Sequence, residues 1–97
     1  MTDNLPSSIR LRVVSPRKLL VDEEVQEVSL PSLEGYVGIL PGHRSLFLAL
    51  GEGKITYRMA GREEGVNVQG GYAEVLPDKV LVLTESTEDE TQQPAEG

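Results

Sequence analysis

The chain has no cysteine and no tryptophan, and only one histidine and one phenylalanine among its 97 residues. Without cysteine there can be no disulfide, no thiolate metal site and no cysteine nucleophile. That composition fits a reducing compartment. A single histidine cannot build a histidine-rich metal site. No apolar run approaches the roughly 18 residues of a membrane-spanning helix. The first residues, Met1, Thr2, Asp3, Asn4, Leu5 and Pro6, lack the basic start and apolar core of a signal peptide. Basic residues are scarce as well: 9 against 16 acidic, a formal net charge of −7. From Glu85 onward there are acids (Glu85, Glu88, Asp89, Glu90, Glu96) and no base, so the body before them is nearly balanced. A balanced body offers no basic patch for nucleic acid and none for anionic lipid.

What the chain does have is alternation. Its length suits one domain, and 38% hydrophobic residues suffice for one thin core. Ile9, Leu11 and Val13 alternate with Arg10 and Arg12, the mark of a half-buried strand. Val28 and Leu30 share a face in a run expected to stop before Pro31, and Val37 and Ile39 share the next. Leu46, Leu48 and Leu50 line one side of a strand with Phe47 on the other. Ile55, Tyr57 and Met59, then Val66 and Val68, repeat the pattern, and residues 72–76 and 80–83 close the series. Turn signals recur about every 8–12 residues, as in a β-sandwich or barrel. No segment combines a helix start, a 3.6-residue apolar stripe and a stop. The expectation is an all-β domain over residues 8–85, with a flexible leader at 1–7 and a disordered acidic tail at 86–97. The runs at 19–21, 46–50 and 80–83 are apolar on both faces, so either another layer covers them or a partner does.

Residues 34–43 are the most informative stretch: Glu34, Gly35, Tyr36, Val37, Gly38, Ile39, Leu40, Pro41, Gly42 and His43. Pro41-Gly42 marks a turn, and the glycines suit a turn, a bulge or the close approach of a neighbouring chain. They are not a phosphate cradle, for no Gly-Lys-Ser/Thr and no helix follows. His43 is the one candidate general base, with Ser45 two residues on, but no carboxylate is marked out to complete a triad. The plainer role for His43 is packing or hydrogen bonding at a turn or interface. Arg44 is suited to pairing with a carboxylate across an interface. The acidic groups Asp22-Glu23-Glu24 and Glu63-Glu64 are expected in turns, solvated rather than catalytic. Gly70-Gly71 is expected to mark a bulge or a sheet corner.

The run E-G-x-x-G-I-x-P-G-H resembles the N-terminal domain of the epsilon subunit of F-type ATP synthases. Val13-Val14-Ser15-Pro16, Gln69-Gly70-Gly71-Tyr72-Ala73-Glu74-Val75 and Val80-Leu81-Val82-Leu83 follow in that family's order, so the resemblance spans residues 9–85. It implies a flattened sandwich of about ten short strands in two sheets. It also implies a non-catalytic rotor subunit of the central stalk, coupling the gamma subunit to the c-ring of a proton- or sodium-translocating enzyme. No cofactor and no bound metal are implied. Carried over position by position, Glu34, Tyr36 and Val37 would face the ring loops. Pro41, Gly42, His43 and Arg44 would lie towards gamma or its junction with the ring, and Gly35 and Gly38 belong to the same partner-binding stretch. Tyr36 stands where the family often has an acid, and an aromatic stacked on a ring-loop arginine is a substitute. The family's helical hairpin has no counterpart in residues 84–97, so neither hairpin-type inhibition of ATP hydrolysis nor a nucleotide site is expected. The implied location is peripheral, on the cytoplasmic face of a bacterial inner membrane or the stromal face of a thylakoid, in a hetero-oligomer, with the isolated chain a monomer. The rival readings are a free-standing sandwich that binds peptide or carbohydrate, weakened by 4% aromatic content, and a small hydrolase using His43.

Overall fold

The computed structural model describes residues 6–87. Every regular element among them is a strand: β1 (Ile9–Val14), β2 (Leu19–Val25), β3 (Glu27–Ser32), β4 (Gly35–Ile39), β5 (Leu46–Ala49), β6 (Glu52–Met59), β7 (Arg62–Leu76) and β8 (Lys79–Thr87). The leader's residues 1–5 and the tail's residues 88–97 lie outside the described residues. Ser86 and Thr87, expected in the tail, continue β8 and pair with Gln69 and Val68.

The expected sandwich of about ten short strands in two sheets is built, among the described residues, from eight strands in one folded sheet, ordered β2-β1-β8-β7-β6-β3-β4, with β5 also on β7. The reason is β7. The sequence reads it as two strands, but its 15 residues run unbroken through Gly70 and Gly71. Up to Gln69 β7 pairs with β6, after the glycines it pairs with β5, and β8 runs alongside it from Leu76 back across the glycines to Val68. Both glycines have positive φ, +73° and +108°. A Cβ on Gly71 would sit 2.0 Å from the Leu83 carbonyl oxygen, so no other residue fits there. Backbone bonds tie the corner together: Gly70 N–H donates to the Gly51 carbonyl at 3.1 Å, and Leu50 N–H to that of Gly71 at 2.9 Å. Thr84, buried, donates its hydroxyl to the Gly70 carbonyl at 3.0 Å.

The fold brings two halves face to face. One contains β5, the second half of β7, β8, β1 and β2; the other contains the first half of β7, β6, β3 and β4. Their inward side chains form one core: Ile9, Leu11, Val13, Val25, Val75, Val80 and Val82 from the first half, and Val28, Leu30, Ile39, Ile55 and Val68 from the second. Each such side chain, fully buried, contributes about 1.5–3 kcal/mol against the entropy of ordering the chain. The alternation read from the sequence therefore points the correct residues inward.

Three expectations about where strands and turns fall are corrected. Asp22, Glu23 and Glu24 do not form a turn but lie within β2, where Asp22 and Glu24 stand opposite Arg12 and Arg10. Cross-strand ion pairs make acids acceptable there: Arg10 Nε is 2.8 Å from Asp22 Oδ1, and Arg12 Nε is 3.5 Å from the same atom. Glu63 and Glu64 likewise lie in β7, because the turn before them needs only Ala60 and Gly61, both at positive φ. Strand β3 continues past its expected end through Pro31 to Ser32, on the stretch where it no longer pairs with β6 and the missing N–H costs nothing.

Candidate partner-docking surface

The residues singled out by sequence sit on β4 and on the loop that follows it. Ser32 and Gly35 close a two-residue hairpin between β3 and β4. The Ser32 hydroxyl donates to the Gly35 carbonyl at 2.5 Å and accepts the Glu34 N–H at 3.2 Å, leaving the Glu34 carboxylate exposed. At the other end, Gly42 takes φ +87° and donates its N–H to the Pro77 carbonyl at 2.8 Å, while the His43 N–H donates to Leu40 at 3.1 Å. The strand rises about 3.3 Å per residue, so the two groups stand about 13 Å apart, at opposite ends of β4. The structure thus splits the candidate site rather than gathering it. His43 Nδ1 is 2.8 Å from the Arg44 carbonyl oxygen, to which an Nδ1–H tautomer donates. That contact uses the imidazole at the turn itself. Arg44 is exposed.

Tyr36 has a role its sequence position did not announce. It lies opposite Pro31, and its hydroxyl accepts the Lys54 N–H at 3.1 Å. The β3–β6 ladder ends at the Ser29–Thr56 pair and the Pro31 carbonyl is taken by the Gly51 N–H at 2.9 Å, so the tyrosine hydroxyl supplies the acceptor for the Lys54 N–H beyond the end of that ladder. Gly53 makes room for it, since a Cβ there would lie 2.6 Å from that oxygen. The ring remains 61% exposed. Val37 points inward, half-buried against the core, whereas Gly38 faces out.

The larger surface feature escapes any single stretch of sequence. Register places Ala49, Tyr72, Leu83, Val14 and Leu19 side by side on β5, β7, β8, β1 and β2, all on the outer face. Tyr72, Leu83 and Leu19 are each about half exposed, and Phe47, 68% exposed, stacks on Tyr72 with ring centroids 5.5 Å apart. The next outward row mixes apolar and charged groups, Phe47, Glu74, Leu81, Arg12 and Asp22, and the one after it runs Leu76, Lys79, Arg10 and Glu24. Hydrogen bonding to Arg10 holds the Asp22 carboxyl below the usual carboxylate range and raises the guanidinium pKa. No layer of the described residues covers the apolar row. Leu33 N–H donates to the Ala49 carbonyl at 3.1 Å, so the row ends beside the hairpin that carries Glu34. The signal available in sequence was the doubly apolar runs at 19–21, 46–50 and 80–83; Val14 and Tyr72 had none.

Residues 8–90 match the family described as ATP synthase, Delta/Epsilon chain, beta-sandwich domain. The chain belongs to that family. It is 43% identical over 84 residues to the ATP synthase epsilon chain of Solibacter usitatus, covering 87% of this chain and 63% of that one. The epsilon chain of Nitratidesulfovibrio vulgaris is 42% identical over the same shares. The chain therefore spans about three-fifths of the length of the curated relatives it matches. A chain in the mitochondrial ATP synthase of Euglena gracilis, solved with OSCP, F1 and c-ring, superposes with a TM-score of 0.79 at 25% identity, over 87% of this chain and 54% of that one. One from the central stalk and c-ring of Tetrahymena thermophila ATP synthase shares the fold, with a TM-score of 0.69 at 14% identity over 91% of this chain and 71% of that one. The epsilon resemblance read from residues 34–43 and 69–75 is thus the family of the chain, and the all-β expectation is the observed architecture.

Proposed function

We propose that this chain is a central-stalk rotor subunit of an F-type ATP synthase, a non-catalytic coupler between the gamma subunit and the c-ring. The observation that carries this reading is the outward apolar row from Ala49 to Leu19, uncovered among the described residues and ending beside the Glu34 hairpin. Five strands spaced about 4.8 Å apart make it roughly 19 Å long, enough to seat a large subunit's side chains. In this reading the row, with Phe47, docks gamma, and His43 and Arg44 add polar contacts beyond it. Glu34 and the exposed ring of Tyr36 meet the polar loops of the c-ring. The doubled-over sheet suits the task because its ladders of backbone hydrogen bonds run through both halves and resist shear. The coupling ion is a proton or sodium, the location is peripheral to the membrane, and residues 6–87 transmit torque rather than brake ATP hydrolysis.

A titration against isolated gamma tests this. The double variant His43→Ala, Arg44→Ala should bind several-fold more weakly with little change in thermal midpoint, because Arg44 is exposed and the half-buried His43 ring bonds within its own turn, to the Arg44 carbonyl. Unchanged affinity would remove these two residues from the site. Retention of the parent chain on a glycan or peptide resin, with no affinity for gamma, would favour the free-standing binding module instead.

A further inference from the structure

The acids that β2 presents on the apolar outer face have bases beside them: Asp22 pairs with Arg10 and Arg12, and Glu24 lies 3.8 Å from Arg10. Glu74 of β7 differs. It is exposed and makes no ion pair or side-chain hydrogen bond among the described residues. Register sets it directly opposite Phe47 on β5 and Leu81 on β8. Tyr72 and Leu76, two residues either way along β7, share its face. Four aromatic or aliphatic side chains thus frame one carboxylate. Arg12 and Lys79 border the same shallow hollow. Arg12, however, is 3.5 Å from Asp22, and Lys79 stands one row further on, opposite Leu76.

In the free chain, water solvates this carboxylate. A partner seated on the apolar row removes that water, because Tyr72 belongs to the row and Phe47 stacks on it. A carboxylate covered without a counter-charge opposes binding strongly. The partner must therefore bring a base. Arginine fits the frame, since its planar guanidinium forks onto a carboxylate through two N–H donors and also stacks on an aromatic face. Phe47 offers such a face across from Glu74 and remains mostly exposed. The compact, strongly hydrated ammonium of lysine would gain less from the ring.

We propose that Glu74, framed by Phe47, Tyr72, Leu76 and Leu81, receives an arginine side chain of gamma. The proposal rests on the coupler reading and names the chemistry that the partner must present to this face. Apolar burial then supplies affinity along the row, and the Glu74 contact fixes the partner's register on it, because a shift of one residue would leave both charges covered and unpaired.

Titration of gamma with the 97-residue chain and its variants tests it. Glu74→Gln keeps the shape and removes the charge. Affinity should fall by about thirtyfold or more, because the guanidinium is left covered without its counter-charge. The thermal midpoint should not move, since Glu74 has no partner within the described fold. Were no arginine opposite, the same variant would bind more tightly, so unchanged or higher affinity overturns the proposal. Lys79→Ala should alter affinity by no more than about twofold; a loss as large as that of Glu74→Gln would mean that the chain supplies the base itself, and also overturns it. Glu74→Arg should abolish binding, and changing one arginine of gamma to glutamate should restore it. If no arginine of gamma does so, the proposal falls. Leu83→Glu separates this contact from the reading beneath it. Should that variant lose affinity while Glu74→Gln does not, gamma still docks on the row and only the arginine contact is struck. Should neither lose affinity, the row is not where gamma sits.

Discussion

The two outer faces of the folded sheet share one backbone and one core, yet they present opposite chemistry. Across β5, β7, β8, β1 and β2 the outward row is Ala49, Tyr72, Leu83, Val14 and Leu19. Across β4, β3, β6 and the first half of β7 the comparable row is Gly38, Ser29, Thr56 and Gly65, flanked by Glu27, Arg58 and Glu63. Both faces obey the inward alternation equally well. Folding stability is therefore indifferent to the contrast, and only contact with another molecule accounts for an apolar outer face. Within one small domain, the core side of each strand records how it folds, and the outer side records what it meets.

The comparison rests on the hinge that joins the faces. Gly71→Ala should have the largest effect, because its Cβ would collide with the Leu83 carbonyl at 2.0 Å and part the ladder of both halves. A loss of about 3 kcal/mol or more is expected in chemical denaturation, with the cooperative transition weakened. Gly70→Ala should be milder, since the nearest obstacle there is the movable Glu85 carboxylate.

A matched pair of substitutions isolates the faces themselves. Leu83→Glu should lower affinity for gamma by at least about tenfold with little change in thermal midpoint, because the residue is 51% exposed and outside the core. Thr56→Glu, on the polar face, should leave that affinity as it was. Equal losses from both would dissolve the distinction. A smaller effect sharpens the polar face: Tyr36→Phe removes the acceptor of the Lys54 N–H and should cost about 1 kcal/mol in thermal unfolding.

The smallest effect concerns acid. Asp22 has a folded pKa below its unfolded value, chiefly through its hydrogen bond from Arg10. Its contribution is present above the unfolded pKa and fades as pH falls through the folded one. Asp22→Asn should therefore lower the melting temperature slightly at neutral pH and flatten its decline in acid, and parallel pH profiles for the two proteins would refute the assignment. Both partners are solvent-exposed, so the change should be small.

Much of this was legible in the residues. Ile9, Leu11 and Val13, or Val80 and Val82, announce their inward face because the side-chain period of a strand is two, and burial follows from it. The family was legible too, through glycines and prolines whose spacing serves particular turns. The acids of β2 were misread as a turn because their partners, Arg10 and Arg12, are distant in sequence and adjacent only after pairing. The sequence shows Tyr36 only as a partner-facing side chain, since nothing nearby says that the end of the β3–β6 ladder leaves the Lys54 N–H in need of an acceptor.

Alternation is a local property, carried by each strand before it finds a neighbour, so the amino-acid order alone determined that the chain is all-β and which side chains are buried. Register is a long-range property. Only pairing decided that Val14, Tyr72 and Leu83, from three separate strands, stand shoulder to shoulder, that one continuous β7 turns two sheets into one, and that the candidate residues of β4 lie at opposite ends of a strand. A slip of one residue in any pair would scatter that row while leaving every local pattern intact.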